Sequence, residues 1–136
     1  MKKIKICIFY FLAILSLASN CKHPLVDHDY FIKVQNNTNT SIVYLVSNNY
    51  PDTLIPNQYN NLSGIRPHDY TPYTSSEDWT IVFAQTKAGK LSFFFFNIDT
   101  LSKYGWQNVI SYYRILKRKD VTYQDVENNQ WIVTYP

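Results

Sequence analysis

The chain predicts an α+β domain, mainly antiparallel β-sheet or sandwich, with two short helices in the C-terminal third. Three observations carry this. Strand-length segments alternate apolar and polar residues from Tyr30 onward. Four consecutive phenylalanines, Phe93 to Phe96, put two large rings on each face of one strand, as in a central strand covered on both sides. Helix-capping and helix-spacing signals are confined to the region after Ile98.

Ahead of the domain lies a leader. Lys2, Lys3 and Lys5 precede an uncharged, mostly apolar run from Ile6 to Leu17, and the small residues Ala18 and Ser19 follow. That order is the secretory-signal pattern. The run is too short to span a hydrocarbon core, which takes about 20 apolar residues. The expected organisation is a signal peptide over 1–20, a tether over 21–29 and a single β-rich domain over 30–136. Of 13 basic residues, three belong to the leader, so from Cys21 onward ten basic residues face ten acidic ones. The basic pI therefore belongs to the precursor, and it gives no ground for a nucleic-acid partner.

Cys7 falls in the leader, which leaves Cys21 as the only cysteine of the processed chain and excludes an internal disulfide. Leu17-Ala18-Ser19-Asn20-Cys21 resembles a bacterial lipobox, with Asn20 in the manner of the looser form found in Bacteroidetes-type bacteria. The resemblance implies cleavage before Cys21 and lipidation of its thiol. One acyl chain binds a bilayer only reversibly, whereas two or three hold firmly.

Within the domain, Tyr30 to Gln35 reads as a half-buried strand, Asn36 to Thr40 as a turn, and Ile42 to Val46 as a second strand, the two forming a hairpin. From Ser47 to Ser76 prolines recur among Asn, Asp and Ser, with a short edge strand expected near Thr53–Ile55 and another stretch at Leu62–Arg66. Trp79 to Ala84 alternates and is expected to be a strand. Lys87 to Lys90 is a turn, and Leu91 to Ile98 is the central strand. Asp99-Thr100 is expected to cap a short turn through Lys103. Gly105 opens a second, in which Trp106, Val109, Ile110 and Tyr113 share a face. Arg114 to Asp120 reads as a strand. Thr122 with Asp125 resembles a capping box that opens a helix through Asn129, and Trp131 to Tyr135 closes as a strand.

The run Phe96 to Leu101 with Tyr104 and Trp106, then Ile115-Leu116-Lys117-Arg118, Asp120 and Trp131 to Pro136, carries a resemblance. It is similar to small Bacteroidetes-type lipoproteins whose chains end in a DTL..Y.W…ILKR.D…W.ITYP-like pattern. The resemblance covers roughly the last third of the chain well and the Tyr50-Pro51-Asp52 segment weakly, and it implies export and a cell-envelope location, with no activity attached. Asp52-Thr53-Leu54 and Asp99-Thr100-Leu101 also resemble the Asp-Thr-aliphatic O-glycosylation signal of such exported proteins. That makes Thr53 and Thr100 candidate modification sites.

No catalytic constellation stands out. There is no Gly-x-Ser-x-Gly elbow, and lipidation of Cys21 removes the one thiol. Glu77 and Asp78 are sequence neighbours rather than an opposed acid pair. His23, Asp27, His28 and Asp29 are ligand types for a metal, but a flexible tether would have to be ordered to hold one. His68-Asp69 adds one further ligand pair. No enzyme, metal or cofactor is therefore expected. The basic run Arg114, Lys117, Arg118 and Lys119 suits either a charged edge strand or contact with lipid headgroups or an anionic glycan. Tyr59, Tyr70 and Tyr73, among the asparagines of the proline-rich segment, are the candidate ligand-binding residues, since Tyr offers an apolar face and a polar tip. The expected function is a lipid-anchored envelope protein, in the outer membrane, that binds a glycan or protein through aromatic loops. A structural envelope component and a hydrolase are the alternatives.

Overall fold

The computed structural model describes residues 30–51, 55 and 62–136. The leader, Cys21 and its tether, Thr53 and Tyr59 lie outside the described residues, as does all of the expected Thr53–Ile55 strand except Ile55. Among the described residues no helix is long and apolar enough to cross a membrane.

Among the described residues, seven strands form two sheets. In the first, β1 (Tyr30–Asn36) lies between β4 (Tyr70–Ser75), to which it is antiparallel, and β7 (Ile132–Tyr135), to which it is parallel. The second is antiparallel throughout, in the order β3 (Ser63–Ile65), β2 (Ile42–Ser47), β5 (Lys90–Asn97), β6 (Lys117–Thr122). The helices are α1 (Trp79–Gln85), α2 (Ile98–Tyr104), α3 (Trp106–Ser111) and α4 (Tyr123–Asn128), with a 3-10 turn at Lys87–Gly89. The molecule is α+β, as its sequence predicts.

The four phenylalanines organise the layers. Phe93 and Phe95 point into the space between the sheets, where they meet Ile32, Val34 and Val133 of the first sheet and Trp79 and Phe83 of α1. Phe94 and Phe96 point the other way, with Val43 and Leu45, against Trp106 and Val109 of α3 and Ile55. All four rings are at most 1% exposed. The result is three layers: first sheet, second sheet, and the α2–α3 pair. Fully burying one such ring contributes roughly 1.5–3 kcal/mol. Among the described residues, both cores are built from positions between Ile32 and Tyr135.

Four expectations are corrected. Trp79 to Ala84 is α1, not a strand. Trp79, Val82 and Phe83 also satisfy helical spacing, and Asp78 caps the first turn by accepting a hydrogen bond from the Thr80 N–H at 2.7 Å. Trp79 and Phe83 go inside, while Ile81 is left 47% exposed. Second, β1 and β2 do not pair as a hairpin but enter different sheets. Asn36 makes the crossing: wholly buried, it donates to the Thr40 carbonyl at 2.8 Å and the Arg66 carbonyl at 3.1 Å, while its side-chain oxygen accepts from the Thr38 N–H. Third, Tyr70–Ser75 is a strand inside the proline-rich segment. Pro72 is tolerated there because β4 is an edge. Fourth, α2 is capped by Asn97, whose side chain accepts from the N–H groups of Asp99 and Thr100, so Asp99-Thr100 is not the cap. The last expected strand boundaries also shift, β6 beginning at Lys117 and β7 at Ile132. The Thr122–Asp125 capping box is present in full.

Candidate functional site

Strand alternation turns Ile32 and Val34 inward, so Phe31 and Lys33 emerge on the outer face of the first sheet. Ile132 stands opposite Lys33 on the parallel neighbour and joins them there. Beside this face, α1 and α4 close one end of the sandwich. They bring Asp78, Trp79 and Tyr123 to the same place. The walls so formed, with Gln130 and Trp131, enclose a groove of about 490 Å³.

The Gln130–Trp131 wall is a helix ending in a specific form. The Trp131 N–H donates to the Val126 carbonyl at 2.7 Å and the Gln130 N–H to the Glu127 carbonyl at 3.0 Å, the pair of reverse bonds of a Schellman motif. Such an ending needs left-handed backbone, usually supplied by glycine. Here Gln130 (φ 54°) and Trp131 (φ 62°) adopt it instead. A bulky residue in that region is strained, and strain of this kind collects at functional sites. The turn is pinned from the other side by the Lys33 N–H, which donates to the Trp131 carbonyl at 2.8 Å.

The aromatic groups brace one another. Trp131 meets Tyr123 edge-on at 5.5 Å between centroids, and Tyr123 meets Phe83 edge-on at 6.0 Å. Trp79 packs against Tyr73 at 5.7 Å, and its buried indole N–H finds no acceptor among the described residues. The groove rim is charged on both sides. Lys33 reaches over the ring of Tyr70, 4.2 Å from its centroid. On the other side, hydrogen bonds from the Thr80 hydroxyl and N–H hold the Asp78 carboxyl below the usual carboxylate range. The Tyr123 hydroxyl is pushed up by desolvation and by the nearby carboxylates of Glu127 and Asp78.

The sequence-predicted residues are dispersed. Tyr70 stands on the outer face of β4, 51% exposed and stacked under Lys33. Tyr73 points the opposite way into the core, edge-on to Phe93 at 5.9 Å. The two are therefore not on one surface, and both belong to a strand rather than a loop. With Tyr44, Tyr73 lines a second cavity of about 400 Å³ between the sheets, whose other walls include Ser63, Val82 and Gln85. Burial pushes the Tyr44 hydroxyl up to about 12 and raises that of Tyr73. Thr100 sits half-buried in the first turn of α2.

His68 hydrogen-bonds Asn39 at 2.7 Å, and Asp69 pairs with Arg66. Among the described residues no three His, Cys, Asp or Glu side chains group as metal ligands. The basic run is divided. Arg118 pairs with Asp120 at 2.7 Å, whereas Arg114 lies before β6, with its guanidinium 4.4 Å from the Tyr104 ring centroid. Lys117 and Lys119 lie on the face of β6 opposite Arg118.

The groove residues Phe31, Lys33, Trp79, Tyr123 and Trp131 were not singled out from sequence. They come from four separate segments, and the only local signal was Trp131 itself, in the C-terminal pattern. No family model, curated protein or solved structure matches the chain.

Proposed function

We propose that the protein is a non-catalytic binding protein of the cell envelope, held to a membrane by lipid on Cys21, that takes a glycan in the groove between Phe31, Tyr123 and Trp131. The observation that carries this is the groove itself: apolar aromatic walls with a few polar groups converging on them, the usual make-up of a ligand site. Sugar rings present apolar C–H faces that lie on aromatic surfaces and hydroxyls that need both donors and acceptors. Lys33 donates, Asp78 accepts, and Gln130 does both.

The chemistry of the acids favours binding over hydrolysis. Glycoside cleavage needs a second carboxyl group across the bond, one of the pair kept protonated. Asp78 is the groove's one carboxylate among the described residues, and its hydrogen bonds to Thr80 favour the ionised form. The resemblance of the C-terminal pattern to exported lipoproteins supports the location.

Trp131 makes the binding measurable. Titrating envelope polysaccharides and their oligosaccharides against the protein should change tryptophan emission, and Trp131→Ala should weaken glycan-array binding by at least about tenfold, the loss of one well-packed ring. Array binding that is unchanged in Trp131→Ala, with the domain still folded, would overturn the assignment. Palmitate labelling lost in Cys21→Ala tests the anchor separately.

A further inference from the structure

The layer opposite the groove has a different surface. Eight large apolar side chains are notably exposed among the described residues, and five of them, Ile98, Tyr104, Tyr112, Tyr113 and Leu116, fall within or just after α2 and α3. Tyr112 is the extreme case at 69% exposed. Between Thr100 and Leu116 the sequence has two cations, Lys103 and Arg114, and no acid, in a chain that is neutral from Cys21 onward. Arg114 lies over two of the exposed rings, 4.4 Å from Tyr104 and 5.4 Å from Tyr112, and Lys103 lies 5.1 Å from Tyr104. Neither Lys103 nor Arg114 has a carboxylate partner among the described residues.

We propose that this cation–tyrosine cluster, centred on Lys103, Tyr104, Tyr112 and Arg114, is a docking surface for an anionic phospholipid bilayer. Tyrosine settles at the bilayer interface, ring towards the acyl chains and hydroxyl among the headgroups. Lysine and arginine beside it meet phosphate. The α3 ending reinforces the display. The Arg114 N–H donates to the Val109 carbonyl and the Tyr113 N–H to the Ile110 carbonyl, with Tyr113 left-handed at φ 49° where glycine is usual. The turn leaves Tyr112 and Arg114 exposed at the end of α3. Neither cavity described above is lined by these residues. A protruding patch of rings and cations suits a broad, deformable anionic surface better than a ligand that must be enclosed.

Each cation near an anionic surface contributes roughly a fivefold gain in binding, so Lys103 and Arg114 give a modest affinity that suits a chain held close by the lipid anchor proposed above. Docking by the α2–α3 layer leaves the outer face of the first sheet, and its groove, pointing away from the bilayer. The inference does not depend on what the groove binds.

The test is co-sedimentation of the chain from Lys22 onward, which lacks the proposed leader and Cys21, once a cooperative thermal melt has shown it to be folded. One vesicle set is phosphatidylcholine with phosphatidylglycerol, the other phosphatidylcholine alone. Binding to the anionic set should be selective and should fall with salt. The double variant Lys103→Gln/Arg114→Gln should lose at least about tenfold, and Tyr112→Ala should weaken binding severalfold while leaving far-UV dichroism unchanged. Equal binding to both vesicle sets, no binding to either, or wild-type binding by the double variant would each overturn the proposal. Capture by polyglutamate or heparin without vesicle binding would overturn it in favour of an acidic macromolecule.

Discussion

At the scale of single residues, the molecule places bulky side chains where backbone economy would place glycine. Gln130 and Tyr113 each hold the left-handed position that ends a helix. Gln130→Gly should therefore relieve strain, raising stability by up to about 1 kcal/mol in denaturant unfolding, the difference glycine commonly makes in that conformation. A decrease would show that the Gln130 side chain contributes more than its backbone costs. Trp79 carries a cost of a different kind. Its buried indole N–H lacks an acceptor among the described residues, and an unsatisfied donor costs about 1–3 kcal/mol. Trp79→Phe should be much milder than Trp79→Ala, which opens a cavity and should cost about 3–5 kcal/mol. Tyr44 offers a pH readout. Its hydroxyl is raised by burial to about 12, against about 10 in an unfolded chain. Between those values the unfolded state loses the proton first, so the native state's advantage is intact below pH 10 and is lost as pH rises towards 12. Tyr44→Phe should flatten that alkaline loss in pH-dependent thermal melts.

At the scale of elements, the strongest local signals were the legible ones. The capping box at Thr122 and Asp125 could be read directly, because both partners lie within one turn. Its loss is predictable: Thr122→Ala should cost about 1 kcal/mol. The thermal midpoint should fall accordingly, and an unchanged midpoint would show that the packing of Val126 and Tyr123 holds α4 without the cap. Hydrogen bonds from Thr122 hold the Asp125 carboxyl below its ordinary value. Its contribution is therefore present above the unfolded pKa and fades as pH falls through the lowered folded one. The apolar residues of Trp79 to Ala84 satisfy both the strand and the helix period, and the arbiter is tertiary: as a helix, the segment buries Trp79 and Phe83. Pairing was equally hidden. Asn36 sends the chain to another sheet through bonds to Arg66, thirty positions away, so the turn-like sequence that follows it did not make a hairpin.

At the scale of the whole molecule, β5 joins two cores. Phe93 and Phe94 are adjacent in sequence and serve opposite layers. Phe93→Ala and Phe94→Ala should each cost about 3–5 kcal/mol, and each should lower one common unfolding transition. Two separated transitions in either variant would show that the α2–α3 layer melts independently of the sheet pair. The groove illustrates why a site can be invisible in a sequence that predicts its fold class correctly. Its walls are drawn from β1, α1, α4 and the turn before β7, so no window of sequence contains them together. The tyrosines that were concentrated in one window are separated by the alternation of β4, Tyr70 outward and Tyr73 inward.

The parallel pairing of β1 with β7 has a kinetic consequence. Lys33 and Ile132 are neighbours in the first sheet although about a hundred residues separate them in sequence. Contacts of such long range must wait for a large loop to close, and chains rich in them fold slowly. The first sheet cannot be completed while its last strand is still emerging from the ribosome. For the exported precursor proposed above this is useful, because a chain that folds late is still threadable when it reaches the translocation channel.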